Sequence, residues 1–141
     1  MIDNRLLKIA SNTKFYGLKN IYTYKTNLKN SICGDKISIE ISLKKNTIQE
    51  LRYETEACIF CQASASTLAN IAKNTNLGDL KKNLSKYINL SKKVPKKFNN
   101  LNYLLKDKYM NRKDCILLPF KAFYKAIKWY DKKNNIYNYV L

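Results

Sequence analysis

The chain has 141 residues, 45% hydrophobic and 26% charged, a balance that excludes a disordered chain and matches one ordinary domain, taken here as 1–141. Lys and Arg number 27 against 10 Asp and Glu, a formal net charge of +17, and no apolar run approaches the roughly 18 residues of a membrane helix. His is absent, which removes His-based triads, His-ligated zinc and the commonest general base.

In chain order, Met1 to Arg5 lack the features of a secretory signal, so a soluble, cytoplasmic protein is expected. Asp3 is suited to N-cap a first short helix with Leu6, Leu7 and Ala10 on one side. Residues 17–28, with Tyr22 and Tyr24, suggest an edge strand. Ile37, Ile39, Ile41 and Leu43 then alternate with Ser38, Glu40, Ser42 and Lys44, a strict period of two that predicts a strand with one buried face. Lys45-Asn46 forms a two-residue turn into a second strand through Ile48, Leu51 and Tyr53, an antiparallel hairpin.

From Cys58 the pattern turns helical. Ala63, Ser64, Ala65 and Ser66 are small, with Leu68, Ile71 and Ala72 at helical spacing. Leu77, Leu80, Leu84, Tyr87 and Ile88 mark a second helix; a basic stretch from Ser91 to Asn100, containing Pro95, reads as a loop; Phe98, Leu101, Leu104 and Leu105 suggest a short helix. In the last helix Pro119 suits a first-turn position. There Ile116, Phe120, Phe123, Ile127 and Tyr130 share one face, opposite Lys121, Lys125, Lys128 and Lys132. Strands first and helices afterwards predict an α+β domain, a small antiparallel three-stranded sheet with helices packed on one face.

The four Cys are 33, 58, 61 and 115. In a reducing compartment such thiols serve metal binding or sulfur chemistry ahead of disulfides. Cys33-Gly34-Asp35 precedes the strong strand, and Gly34 permits a turn that aims thiol and carboxylate at one point. Cys58 falls between the second strand and the small-residue helix, and Cys115 just ahead of Pro119 and the final helix. Helix N-termini at Cys58 and Cys115, with Arg112 nearby, would favour thiolate. Three thiolates and a carboxylate suit tetrahedral Zn²⁺, and thiolates also hold iron–sulfur clusters. Buried cysteines acting as small hydrophobes are the plainer reading. Cys58-Ile59-Phe60-Cys61 follows an antiparallel hairpin, not a βαβ unit, which argues against a thioredoxin-like dithiol.

Three segments together resemble the IscU/SufU/NifU-N-terminal family of iron–sulfur cluster assembly proteins. That family carries Cys-Gly-Asp leading into a strand, Gly-x-Gly-Cys-x-Ile-Ser-x-Ala-Ser-Ala-Ser opening a helix, and a third Cys ahead of a final helix. The counterparts here are Cys33-Gly34-Asp35, the segment Glu56 to Ser66, and Arg112-Lys113-Asp114-Cys115-Ile116-Leu117-Leu118-Pro119-Phe120. The last is similar to the Arg-x-x-Cys-Ala-x-Leu-Pro-Trp of SufU-like members. Asp114 stands where IscU has His, and the Cys58-to-Cys115 stretch is long, so the likeness is to the SufU-like branch. Cys61 replaces the family's Ser, and Ala57 its Gly.

The resemblance implies a site of Cys33, Asp35, Cys58 and Cys115 holding Zn²⁺ or a transient [2Fe–2S] cluster, with Cys61 as an alternative ligand, a resolving thiol or a packed core residue. It implies a cysteine desulfurase of SufS or IscS type as sulfur donor, with downstream iron–sulfur scaffold or carrier proteins as recipients. Cys33 would accept the persulfide, supported by Arg112. The chain would act as a zinc-dependent sulfurtransferase or as a non-enzymatic scaffold.

The positive charge is dominated by Lys, beside frequent Asn, Ile and Tyr, and reads as compositional bias on solvated faces. An acidic desulfurase face is the partner that such a surface would attract. The alternative of another class is an RNA-binding module with structural zinc, using Lys81–Lys97, the Lys121 stripe and Tyr stacking; scarce Arg and no nucleic-acid motif count against it.

Overall fold

The computed structural model describes residues 2–89 and 96–128. Expectations for the side chains of Tyr87 and Ile88, for 91–95 in the basic loop, and for Tyr130 and Lys132 fall outside the described residues.

Helix α1 (Asn4–Ala10) precedes three antiparallel strands, β1 (Tyr24–Lys29), β2 (Lys36–Lys44) and β3 (Thr47–Glu56). Helix α2 (Ile59–Ala72), the two-residue strand β4 (Thr75–Asn76) and helix α3 (Leu77–Asn89) follow. A 3-10 turn over Lys96–Phe98 and the start of helix α4 (Asn99–Leu104) replace the loop expected there, and a 3-10 segment over Asp107–Arg112 and helix α5 (Lys113–Ala126) complete the described chain. The sheet order is β1-β2-β3-β4, one strand more than expected. That strand is too short to carry a hydrophobic period, and only its pairing with Thr47 and Ile48 defines it.

The β2–β3 hairpin forms as its pattern requires. Ile37, Ile39 and Ile41 are buried, each contributing on the order of 1.5–3 kcal/mol. Lys45 and Asn46 take φ of 50° and 66°, the left-handed pair that matches strand twist in a tight hairpin. In β3, Ile48 and Leu51 are both fully buried although an odd spacing separates them. The register passes from Ser42↔Glu50 to Leu43↔Ile48, leaving Gln49 as the extra residue of a β-bulge, and the bulge resets which side chains point inward.

Glu40 departs from the expected alternation. Its place on the outer face predicts exposure, yet it is 2% exposed. The segment before β1 folds over that face, and the Glu40 carboxylate accepts the backbone N–H groups of Lys19 and Asn20 at 2.9–3.2 Å. Lys25 pairs with it at 3.8 Å. A buried carboxylate is tolerated because donors surround it.

Helix α2 lies against the sheet with other helices around it, and 11 of its 14 residues are buried. Small side chains let neighbours approach, and the two buried serine hydroxyls find partners on other segments. Ser64 Oγ donates to the Ile116 carbonyl, and Ser66 Oγ donates to the Asn12 carbonyl at 2.7 Å.

Helix α5 begins earlier than expected. Lys113 is its first residue, Pro119 lies inside it, and Cys115 sits in its first turn instead of ahead of it. Burial of Cys115 and Ile116 beside Phe60 and Tyr109 holds the turn before Pro119 helical, and the proline forfeits one backbone hydrogen bond. Ile116, Phe120, Phe123 and Ile127 are buried, and Lys121, Lys125 and Lys128 are exposed. Among the described residues no helix is long and apolar enough to cross a membrane.

The N-terminal helix is clasped to the rest. Asp3 caps α1 by accepting the Leu6 N–H at 2.9 Å. Its other oxygen accepts from Tyr103, from Lys108 at 2.8 Å and from Tyr109 at 3.1 Å. Leu6 and Ile9 are the residues α1 buries, whereas Leu7, expected inside, is 45% exposed; the docking angle set at Asp3 selects that face.

Lys108 above all, then Tyr103, holds the Asp3 carboxyl well below the usual carboxylate range. A depressed carboxyl stabilises the fold above its unfolded value and loses that contribution as pH falls through the folded one. Asp3→Asn keeps a capping side chain and removes the charge. Its melting temperature is expected to fall below that of the parent at neutral pH, the gap closing in acid below about pH 4; a pH-independent gap would refute the assignment.

Candidate functional site

Sheet register brings the first two chain segments of the site together. Lys36 pairs with Glu56, so the residues before β2 and after β3 emerge side by side. The turn from β1 to β2 is closed by Asn30, whose N–H donates to the Asp35 carbonyl and whose carbonyl accepts the Gly34 N–H, both at 2.8 Å. The Asn30 side chain also accepts the Ile32 N–H at 2.9 Å. Gly34 has φ of +80°, a left-handed conformation that side chains resist. The turn exposes Cys33 and buries Asp35.

Asp35 reaches across to the start of α2. One carboxylate oxygen accepts the Cys58 N–H at 3.3 Å, and the other lies 3.3 Å from Cys58 Sγ. Cys58 is the N-cap of α2 and makes no side-chain cap hydrogen bond, which leaves its sulfur to the site. The third segment is the first turn of α5, which delivers Cys115 with its Sγ 3.9 Å from Cys33 Sγ.

The ligand atoms of Cys33, Asp35 and Cys115 all lie within 4.8 Å of one another. Cys58 joins them through its contact with Asp35. These are four groups, a buried carboxylate with one buried, one half-buried and one exposed thiol, a donor set that fits Zn²⁺ or the irons of a small cluster. Exposure is graded, with Cys33 exposed, Cys58 half-buried and Cys115 buried. Burial pushes the Cys115 thiol up, and neighbouring Cys58, Cys33 and Asp35 add to the effect.

Cys61 occupies a different environment. It is fully buried in the main core with Leu68, Leu118 and Ile39, and burial ahead of the Asp35 and Cys58 charges raises its thiol. Its packing favours the reading of Cys61 as a core residue. Arg112 is the N-cap residue of α5, and its guanidinium lies 5.5 Å from the Phe60 ring centroid, beside the site without an ion pair to it among the described residues. Sequence reasoning passed over Asn30, although an Asn closing a short turn ahead of Gly is a signal with a known mechanism.

The chain is similar to several known proteins. A family model described as the NifU-like N terminal domain matches residues 5–136. An uncharacterized protein of Borreliella burgdorferi is 26% identical over 139 residues, 92% of this chain and 84% of that protein. The iron-sulfur cluster assembly scaffold protein IscU of Thermotoga maritima is 24% identical over 136 residues, 91% of this chain and 93% of that one. Among solved structures, a NifU-like N-terminal protein of Brucella abortus superposes with a TM-score of 0.78 at 20% identity, covering 93% of this chain and 94% of its own. The SUF-system protein FiSufU of Fervidobacterium islandicum gives 0.77 at 20% identity, covering 90% and 96%. The two structural likenesses are likenesses of fold.

No atom lies within 4 Å of a Cβ built on Gly34, so only backbone conformation opposes a side chain there. Gly34→Ala is expected to cost about 1 kcal/mol in denaturant unfolding, and Gly34→Asn clearly less. Equal losses for the two would show that the left-handed turn is not what Gly34 supplies.

Proposed function

Because the chain belongs to the family of NifU-like N-terminal domains, we propose that it serves iron–sulfur cluster assembly through Cys33, Asp35, Cys58 and Cys115, in the manner of the SufU-like branch. The observation that carries this reading is the meeting of Cys33, Asp35 and Cys115 within 4.8 Å, with Cys58 held against the same carboxylate.

The cargo is sulfur, alone or with iron. A cysteine desulfurase presents a cysteine persulfide, and the Cys33 thiolate attacks its outer sulfur. The donor S–S bond breaks, the donor cysteine leaves as thiolate, and a new S–S bond forms on Cys33. Exposure of Cys33 supports it as acceptor, because the attacked sulfur arrives on another protein and must reach the thiol. Asp35, Cys58 and Cys115 remain to hold Zn²⁺, which would favour deprotonated thiols. In the scaffold form of the reading the same residues bind a [2Fe–2S] cluster as substrate until a recipient takes it. Exposed lysines on α5 favour approach of an acidic desulfurase face, in a salt-dependent way.

Metal and acid-labile sulfide content, measured with an absorption spectrum on protein purified without oxygen, tests the reading. About one zinc per chain without sulfide or colour is expected for a sulfur relay, and iron with matching sulfide for a scaffold. Finding neither metal, even after reconstitution, would overturn the proposal. Persulfide labelling by a cysteine desulfurase tests the acceptor. Cys33→Ser is expected to abolish labelling and Cys115→Ser to retain it; normal labelling of Cys33→Ser would reassign the acceptor.

A further inference from the structure

Away from the thiols, a cavity of about 640 Å³ opens between α1, α2 and the start of α4. Its lining on α2 begins at Ser66 and Thr67, roughly 12 Å along the helix axis from the residues beside Cys58. The size falls within the range of small-molecule sites.

The cavity is built in two tiers. Its floor is buried, made of Ile9, Ile71, Ser66 and Thr67. Both floor hydroxyls are already spent as donors, Ser66 to the Asn12 carbonyl at 2.7 Å and Thr67 to the Ala63 carbonyl at 2.9 Å. The rim is exposed and carries three cations, Arg5, Lys8 and Lys97, with the side chains of Asn12, Asn70 and Asn100. No lining residue is acidic.

Two of the cations are held in place. The Arg5 guanidinium lies 4.2 Å from the Tyr103 ring centroid, a stacked position that leaves its N–H edge free of carboxylates among the described residues. Lys97 Nζ donates to Thr75 Oγ1 at 2.7 Å, which fixes the ammonium and leaves it two more protons to donate. Helix α1, which supplies Arg5 and Lys8, is itself pinned by Asp3. On the Asn12 side chain, Oδ1 accepts the Lys14 N–H at 3.3 Å, so its amide NH₂ is the group left to donate. The rim therefore presents donors and positive charge from three directions over a floor that Ile9 and Ile71 make partly apolar, and a concave cluster of one sign focuses its field.

We infer that this cavity is a binding site for a small phosphate-bearing ligand, with Arg5, Lys8 and Lys97 contacting the phosphate and Ile9 and Ile71 beneath the remainder. A phosphate matches the donor geometry because its oxygens accept several charge-assisted hydrogen bonds at once. The site is distinct from the thiol cluster, so the inference stands or falls independently of the proposed sulfur chemistry.

Isothermal titration of the full chain at fixed ionic strength tests it, with inorganic pyrophosphate, AMP and an acidic hexapeptide as probes. Saturable binding of pyrophosphate or AMP is expected, with AMP the tighter if the apolar floor takes a base. Lys8→Gln with Lys97→Gln is expected to weaken it about tenfold or more. Lys8→Gln alone, at a side chain with no hydrogen bond among the described residues, is expected to weaken it in part. Lys121→Gln with Lys128→Gln removes the same charge elsewhere and is expected to change little. Equal weakening in both double variants, binding unchanged by the cavity substitutions, preference for the peptide, or no saturable binding would each overturn the inference.

Discussion

Helix α2 is enclosed on nearly every side, and the positions of its neighbours follow from what that enclosure demands. A helix buried among the sheet, α1, α4 and α5 has little room for large side chains on several faces at once, and its buried residues include the small Ala63, Ser64, Ala65 and Ser66. The two serines then need partners, because a buried hydroxyl without one is costly. Ser64 finds the Ile116 carbonyl on α5, and Ser66 the Asn12 carbonyl beyond α1. Each bond anchors another element to α2. The anchored elements are the ones that deliver Cys115 on one side and the cavity's Arg5 and Lys8 on the other.

The thiol site inherits its geometry from this framework. Cys58 caps the central helix, Cys115 rides in the first turn of the helix bonded to it, and Asp35 arrives through sheet register. Cys33 and Asp35 share the turn closed by the Asn30 backbone and side chain and by the positive φ of Gly34, and of the two only Cys33 is exposed. That difference matches the division of labour proposed above. In that proposal the buried and half-buried groups stay fixed, and the thiol on the exposed turn meets the incoming partner. Cys61 is three residues from Cys58 in the chain, but it points into the core, and spacing alone does not separate those two fates.

The charge of +17 is likewise not uniform in what it can do. Lys121 and Lys128 are exposed along α5, where solvent and salt screen them. Arg5 and Lys97 are steadied by an aromatic ring and a hydroxyl at the mouth of a cavity. A cation with a fixed position and a concave setting loses less freedom on meeting an anion, and its field is less diluted by water.

Much was legible because it is local. The period-two run Ile37 to Leu43, the Lys45-Asn46 turn, the Asp3 cap and the buried face of α5 each depend on neighbours a few residues away, where periodicity and backbone preference operate. The cysteine motifs were legible as segments, and with them the family and the α+β architecture. Other features required the folded chain. The Gln49 bulge, the burial of Glu40, the interior place of Pro119 and the fourth strand arise from contacts between elements, which no local pattern encodes. The approach of Cys115 to Cys33 spans 82 residues of sequence, and the cavity gathers cations from positions 5, 8 and 97. By itself the sequence determined the three long strands, the main helices and which residues are candidates for a site. Only packing around the buried α2 decided which of those residues meet, because distance between side chains is set by how elements pack and not by their spacing along the chain.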